Sequence, residues 1–144
     1  MSGADFTGAN LAGADLSFST LLDANFTGAV LGGANLKRVL AWRSIFDGAN
    51  LREATLSGAD LSFAGMKNAD LRFANLVGTQ LTRALCAGAN FSGANVSVAE
   101  FTSSVLTDAH FSDVAATGAC FMGAVLKSTN MDWARLSGAS FRDA

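Results

Sequence analysis

The chain has 144 residues, of which half are apolar and 15% are charged, with 15 glycines and no proline. This length suits one domain, and the high apolar content excludes a disordered chain. Ten basic residues stand against twelve acidic ones, and the resulting net charge of −2 excludes a strong general attraction to nucleic acid or to an anionic membrane.

The N-terminal residues 1–6 contain no basic stretch followed by an apolar core. No apolar run anywhere in the chain approaches the ~20 residues of a membrane-spanning helix. We therefore expect a soluble cytoplasmic protein that does not contact a membrane. In that compartment the two cysteines are expected to be free thiols.

A period of five residues begins at Phe6 and continues to Phe141. Of the 28 central positions at this spacing, 25 are Leu, Phe, Met or Val, and the exceptions are the small apolar residues Ala41, Cys86 and Ala116. The position two before each centre is Ala at 22 of 29 sites, the position between them is Asp or Asn at 12 of 28, and the position two after is Gly at 13 of 29. These last two types tolerate turns and positive φ.

Neither an α-helix nor a flat strand makes a core from this period. Five residues turn a helix by about 140°, so the large side chains would surround it. In a strand an odd step sends successive large residues to opposite faces. The pattern predicts a solenoid in which each pentapeptide forms one side of a coil, with the centre and the Ala inward and the Gly at a corner.

The sequence Ala-(Asp/Asn)-Leu-X-X recurs along the chain, for example at residues 14–18, 59–63 and 69–73. On these units the chain resembles the pentapeptide-repeat proteins over residues 4–143. The resemblance implies an all-β fold, a right-handed quadrilateral β-helix with four pentapeptides per coil. A single domain over residues 1–144 then has seven coils of 20 residues and a length of about 34 Å. Residues 20 apart should stack, so we expect four buried neighbours in one column: Leu16, Leu36, Leu56 and Leu76.

Few side chains suit catalysis, and we expect no enzymatic activity, no cofactor and no metal site. The one histidine, His110, occupies an outward slot and is interpreted as an ordinary surface residue. Cys86 is a central residue and should be buried, whereas Cys120 occupies an outward slot as a candidate reactive thiol. Three glycosylation-like triplets follow from the repeat and are discounted: those at Asn25, Asn90 and Asn95.

The clearest departure from the pattern lies in residues 37–46. The central residue shrinks to Ala41, while bulky Leu40 and Trp42 occupy outward slots. Stacking at 20 residues brings further apolar and arginine side chains beside them, a mixture typical of protein-binding hot spots. Alternatively, Trp42 folds over the space left by Ala41, or the coil distorts locally. The candidate protein-binding patch consists of Phe18, Leu22, Arg38, Leu40, Trp42, Arg43, Phe63 and Arg83.

Charge is distributed unevenly along the chain. Residues 1–36 sum to −3, residues 37–83 to +3 and residues 84–144 to −2. Arg52 and Arg72 occupy the same outward column on successive coils and form a candidate anion-binding site. The alternative is a solvated surface on which nearby Glu53 and Asp70 balance them.

Two functions remain open from the sequence. The leading expectation is a non-enzymatic scaffold that presents a rigid surface to a protein partner, with no direct contact to nucleic acid. The resemblance also implies an alternative, because some family members protect gyrase and other type II topoisomerases by resembling duplex DNA. A 34 Å rod with the charge density of DNA would approach about −20, whereas this chain has −2.

The last coil predicts self-association. The chain continues for three residues after its final centre, so we expect exposed apolar side chains and unpaired strand groups at this end. A homodimer about a two-fold axis would cover them, and a fragment of a longer chain is the alternative. The candidate end-to-end interface consists of Leu126, Met131, Leu136 and Phe141.

Overall fold

Single-residue parallel bridges connect successive turns of the chain. The computed structural model describes residues 1–144 and contains no helix and no extended strand. A bridge residue occurs at every fifth position over Asp5–Ser140, and every bridge joins residues 20 positions apart, as Asp5 with Asn25 and Asn25 with Ile45. Each turn therefore takes 20 residues, or four pentapeptides, and the turns stack as a β-solenoid. The structure contains no helix that is long and apolar enough to cross a membrane.

Each pentapeptide ends in a hydrogen-bonded corner. At the corner over residues 6–9 the Ala9 N–H donates to the carbonyl of Phe6 over 2.9 Å, and the intervening Gly8 has a φ of +64°. A four-residue turn with positive φ at its third residue is characteristic of type II. The same slot has positive φ throughout the chain, in 13 glycines and 16 other residues. The predicted preference for Gly at corners thus has a direct conformational cause.

The Asp or Asn before each centre completes the backbone hydrogen bonding. Most backbone N–H groups bond to the turn above, to the turn below or within the corner, but the N–H just after each centre has no backbone partner. The preceding Asp or Asn side chain accepts it, as Asn25 Oδ1 does from the Thr27 N–H at 3.0 Å. All twelve Asp and Asn residues in this slot make the bond. This local side-chain acceptor explains why the repeat favours these two residues.

The core is a set of stacked columns inside the turns. Phe6, Phe26 and Phe46 stack face to face with 4.8 Å between successive ring centroids, the spacing of neighbouring strands. A second aromatic cluster combines stacked and edge-on contacts in residues of later turns: Phe91, Phe101, Phe111 and Phe121. The column predicted from Leu16 to Leu76 is buried, and the bridges Asp15–Asn35, Asn35–Thr55 and Thr55–Asn75 beside it confirm the 20-residue stacking.

Hydroxyl residues that replace the inward Ala are tolerated because they bond to the backbone. Ser44 Oγ donates to the Leu21 carbonyl at 2.6 Å, and Thr79 Oγ1 donates to the Leu56 carbonyl at 2.9 Å. Both side chains are fully buried. No buried side-chain nitrogen or oxygen lacks a hydrogen-bond partner, so burying these hydroxyl groups carries no penalty for an unpaired polar atom.

We expect Gly93→Ala to destabilise the solenoid by about 2–3 kcal/mol. The left-handed φ of +69° alone should contribute about 1–2 kcal/mol. An added methyl group would also lie 2.6 Å from two carbons of the Phe73 ring, which must then move. Urea denaturation followed by circular dichroism measures the change.

The matched control for this substitution is Gly78→Ala. Gly78 has a φ of +66° and nothing within 4 Å of an added methyl group, so it reports the backbone cost alone. The difference between the two variants should vanish when Phe73 is also replaced by Gly. Equal destabilisation in the parent chain would contradict the steric role of the Phe73 ring.

Candidate protein-binding face

One side of the solenoid brings together the outward residues singled out in the sequence. Leu40 bridges Thr20 on one turn and Asp60 on the next, and this bridge column lies between two rows of corners. We call this surface the aromatic face; it comprises residues 17–23, 37–43, 57–63 and 77–83. All eight predicted patch residues belong to it: Phe18, Leu22, Arg38, Leu40, Trp42, Arg43, Phe63 and Arg83.

Three large apolar side chains of the aromatic face are solvent-exposed. The exposed fraction is 66% for Phe18, 49% for Leu40 and 41% for Phe63. Isolated exposed apolar residues are common on proteins, but three on adjoining turns of one face form a patch. The patch is thus available to another molecule.

Trp42 and Leu22, which the sequence placed in the candidate patch, lie in the same column and are less exposed than predicted. Both are half-buried. The Arg43 guanidinium lies 4.1 Å from the centre of the Trp42 ring, and the Phe63 ring meets it edge-on with centroids 5.5 Å apart. Trp42 is less exposed than an outward slot predicts because corner side chains of its own turn and of the next turn cover the indole.

One corner row carries three charged residues and one aromatic residue: Asp23, Arg43, Phe63 and Arg83. Asp23 accepts two hydrogen bonds from the Arg43 guanidinium, at 2.7 and 2.8 Å. Through these bonds Arg43 lowers the pKa of Asp23, and Asp23 raises the pKa of Arg43. On later turns the Arg83 guanidinium lies 5.7 Å from the Phe63 ring. No carboxylate lies within 4.0 Å of the Arg83 or Arg38 cation.

Two of the exposed rings occupy corners that favour glycine. Phe18 has a φ of +58° and Phe63 a φ of +62°, in the left-handed region. For a bulky L-residue this conformation costs about 1–2 kcal/mol relative to glycine. The Phe18 ring is 66% exposed and gains little burial in return, whereas the Phe63 ring packs edge-on against Trp42. Sixteen non-glycine residues in all have positive φ at the corners, so this conformation is a general property of the fold.

The predicted anion site already contains an anion from the chain itself. Arg72 donates to both carboxylate oxygens of Asp70, at 2.8 and 2.6 Å, and Arg52 lies 4.0 Å from the same carboxylate. Hydrogen bonding from Arg72 lowers the pKa of Asp70, and the pKa of Arg72 is raised. The Arg52 guanidinium also lies 5.7 Å from the Phe73 ring. An external anion would have to displace Asp70, so the geometry favours the internally balanced alternative.

The predicted end-to-end residues lie on the last turn. Leu126, Met131 and Leu136 are half-buried. Phe141 is 36% exposed, and its ring stacks on Phe121 at 4.9 Å. Their role in self-association stays a prediction. The four residues are Leu126, Met131, Leu136 and Phe141.

Two exposed aromatic corners were missed by the sequence analysis. Trp133 is 86% exposed and Phe73 59% exposed, with φ values of +59° and +60°. Phe73 and Trp133 follow the ordinary central residues Leu71 and Met131, so no break in the central pattern lies beside them. A bulky residue in the glycine slot is the signal that would have found both.

The remaining chemically interesting residues do not converge. The surface has no concave pocket, and no three His, Cys, Asp or Glu residues are placed to hold a metal ion. His110 is exposed, as predicted. Cys86 is buried, and burial raises the pKa of its thiol to about 12. Cys120 is half-buried, with its Sγ 3.5 Å from Thr102 Oγ1.

We expect the native chain to react with one equivalent of a thiol reagent at about pH 8, at Cys120. The Cys86 thiol has no solvent access and stays protonated at that pH, so it should react only after unfolding. Mass spectrometry of labelled peptides, with and without urea, measures this. Cys120→Ser should abolish native labelling, and fast labelling of native Cys86 would contradict its burial.

Comparisons with known proteins give the same architecture. The model for pentapeptide repeats matches the chain in eight copies that together span residues 1–143. No curated protein sequence matches the chain. A pentapeptide-repeat protein from the thylakoid lumen of Arabidopsis thaliana is 33% identical, with 74% of this chain and 68% of that chain covered and a TM-score of 0.52.

Two further solved structures are similar over the whole chain. HetL, a pentapeptide-repeat protein involved in the regulation of heterocyst differentiation in the cyanobacterium Nostoc, is 25% identical, with 100% and 83% of the two chains covered and a TM-score of 0.46. Full-length QnrB1, a plasmid-mediated fluoroquinolone resistance protein, is 19% identical, with 100% and 84% covered and a TM-score of 0.34.

Proposed function

The chain belongs to the pentapeptide-repeat family, and we propose that it is a non-enzymatic scaffold that binds a protein partner through its aromatic face. The observation that carries this proposal is the exposure of Phe18, Leu40 and Phe63 on adjoining turns of one surface. Phe18 and Phe63 also occupy corners at which glycine is the more favourable residue. A binding role accounts for the exposure of apolar side chains at these three positions.

Rigidity is the property that the fold adds to this surface. We propose a rod of seven right-handed turns with a square cross-section, in which each turn is held to its neighbours by the bridge ladder. The backbone under the aromatic face is fixed before a partner arrives, so little backbone entropy is lost on binding. Such a surface suits recognition by shape and by a few exposed side chains.

The charge distribution favours this role over DNA mimicry. A DNA-like rod needs a dense negative surface, whereas this chain has a net charge of −2 and a positive segment over residues 37–83. We therefore place protection of a topoisomerase behind protein binding as the function. Measuring gyrase supercoiling in the presence of a quinolone, with and without the chain, tests that alternative, and we expect no relief of inhibition.

A comparison of two triple variants tests the proposed function. The face variant has Phe18→Gly, Leu40→Thr and Phe63→Gly, which remove the apolar patch and relieve two corners. The control variant has matched changes elsewhere, at residues of 59%, 54% and 56% exposure: Phe73→Gly, Leu85→Thr and Val98→Gly. Each chain is immobilised and incubated with extract of the source cell, and bound proteins are identified by mass spectrometry.

We expect a specific protein to be retained by the parent and by the control variant and lost from the face variant. Both variants should melt no lower than the parent, because glycine is the better residue at left-handed corners. Retention of the same proteins by the face variant would rule out the aromatic face as the binding surface.

A further inference from the structure

The aromatic face has a net charge opposite to that of the rest of the molecule. Its four basic residues are Lys37, Arg38, Arg43 and Arg83, and its two acidic residues are Asp23 and Asp60, giving +2. The rest of the chain has six basic and ten acidic residues, giving −4. A negatively charged partner would therefore approach this face more favourably than the rest of the molecule taken as a whole.

Two arginines on this face have no internal partner. The Asp23 carboxylate is held by Arg43, and no carboxylate lies within 4.0 Å of Arg38 or Arg83. The Asp60 carboxylate accepts the Ser62 N–H at 3.0 Å and pairs with no cation. The guanidinium groups of Arg38 and Arg83 are thus free to bind a carboxylate in the two-point manner that arginine favours.

Both free arginines are supported by the neighbouring turn. Arg38 Cγ lies 3.3 Å from the position that a Cβ atom on Gly58 would occupy. The aliphatic part of Arg38 therefore extends along the corner over that glycine. The Arg83 guanidinium lies beside the Phe63 ring of the preceding turn, at 5.7 Å. These contacts restrict both side chains before binding, which reduces the entropy lost when a ligand is held.

We infer that the partner segment bound by the aromatic face is an acidic peptide with apolar side chains, an inference that rests on the proposed function. Its carboxylates would pair with Arg38 and Arg83, which lie on the two corner rows. Its apolar side chains would cover Leu40 and Phe63 between those rows. A nucleic acid fits less well, because its dense negative charge would lie near the ten acidic residues on the rest of the chain.

Selection from a library of short random peptides displayed on phage tests this inference without knowledge of the natural partner. We expect the parent chain to enrich peptides that combine Asp or Glu with Leu or Phe. The affinity of the selected peptides should fall as NaCl rises. It should also fall by about tenfold or more in Arg38→Glu/Arg83→Glu, and replacement of the peptide carboxylates by Lys should reverse this preference.

A charge-reversal control shows whether the loss of peptide affinity comes from contacts with Arg38 and Arg83 or from the change in the net charge of the chain. Lys127→Glu/Arg135→Glu reverses two other cations that have no carboxylate within 4.0 Å, and it should leave peptide affinity within about twofold of the parent. Circular dichroism confirms that both variants fold. The inference is overturned by enrichment of neutral or basic peptides, by no enrichment, by equal loss in the two variants, or by tighter binding of a single-stranded DNA oligonucleotide.

The face variant separates failure of the acidic-peptide inference from failure of the proposed protein-binding function. If the selected peptides no longer bind Phe18→Gly/Leu40→Thr/Phe63→Gly but still bind Arg38→Glu/Arg83→Glu, the result would support a protein-binding face without an acidic partner. Peptides that bind all variants equally would remove both proposals.

Discussion

Leu71→Asp is expected to abolish cooperative folding of the solenoid. Leu71 is a fully buried central residue, stacked between Leu51 and Phe91 of the adjoining turns. The substitution loses about 1.5–3 kcal/mol of apolar burial and adds a further penalty of several kcal/mol for a carboxylate without a partner. The sum is comparable to the entire stability of a domain, about 5–15 kcal/mol. A turn in a solenoid contacts only its neighbours, so this break would divide the stack into two short pieces.

The matched control places the same aspartate two residues further along the chain. Phe73 is 59% exposed at a left-handed corner, where Asp is better tolerated than Phe. We expect Phe73→Asp to change the unfolding free energy by less than about 1 kcal/mol. Thermal melting followed by far-UV circular dichroism compares the two. If Leu71→Asp melted cooperatively within a few degrees of the parent, the inward position of Leu71 would be disproved.

The path of the chain was predictable from sequence because it depends on one repeated choice. Each large central residue and each inward Ala must be buried, and an unbroken period of five allows this only when the chain turns at every repeat. The 20-residue spacing came from family resemblance, and the Asp5–Asn25 bridge and its successors confirm it. The Asp and Asn preference was interpreted as turn tolerance. The structure adds its more specific cause, an accepted backbone hydrogen bond.

The surface was less predictable because it depends on which side chains lean across turns. The sequence placed Trp42 outward, but its burial depends on the directions taken by Arg43 and Phe63. The 20-residue spacing likewise predicted that Arg52 and Arg72 lie in one column. Their ion pairs, however, are with Asp70, which belongs to an adjacent column. The period of five determines where Cα atoms lie. It does not determine the rotamers of long outward side chains.

Phe101→Ala is expected to destabilise the solenoid by about 3–5 kcal/mol. Phe101 is fully buried and stacks on Phe121 with ring centroids 4.9 Å apart, while Phe91 and Phe111 meet it edge-on at 5.7 and 5.6 Å. Removal of its ring leaves a cavity between three other rings, and the backbone ladder prevents the turns from collapsing into it.

Phe141→Ala tests whether this loss comes from enclosure or from stacking alone. The Phe141 ring also stacks on Phe121 at 4.9 Å, but it is 36% exposed. We expect its removal to cost about 1 kcal/mol, because solvent fills the space and no closed cavity forms. Urea denaturation of both variants gives the two free energies. Equal losses would mean that the contact with Phe121 dominates, and that burial within the cluster adds little to the stability of the stack.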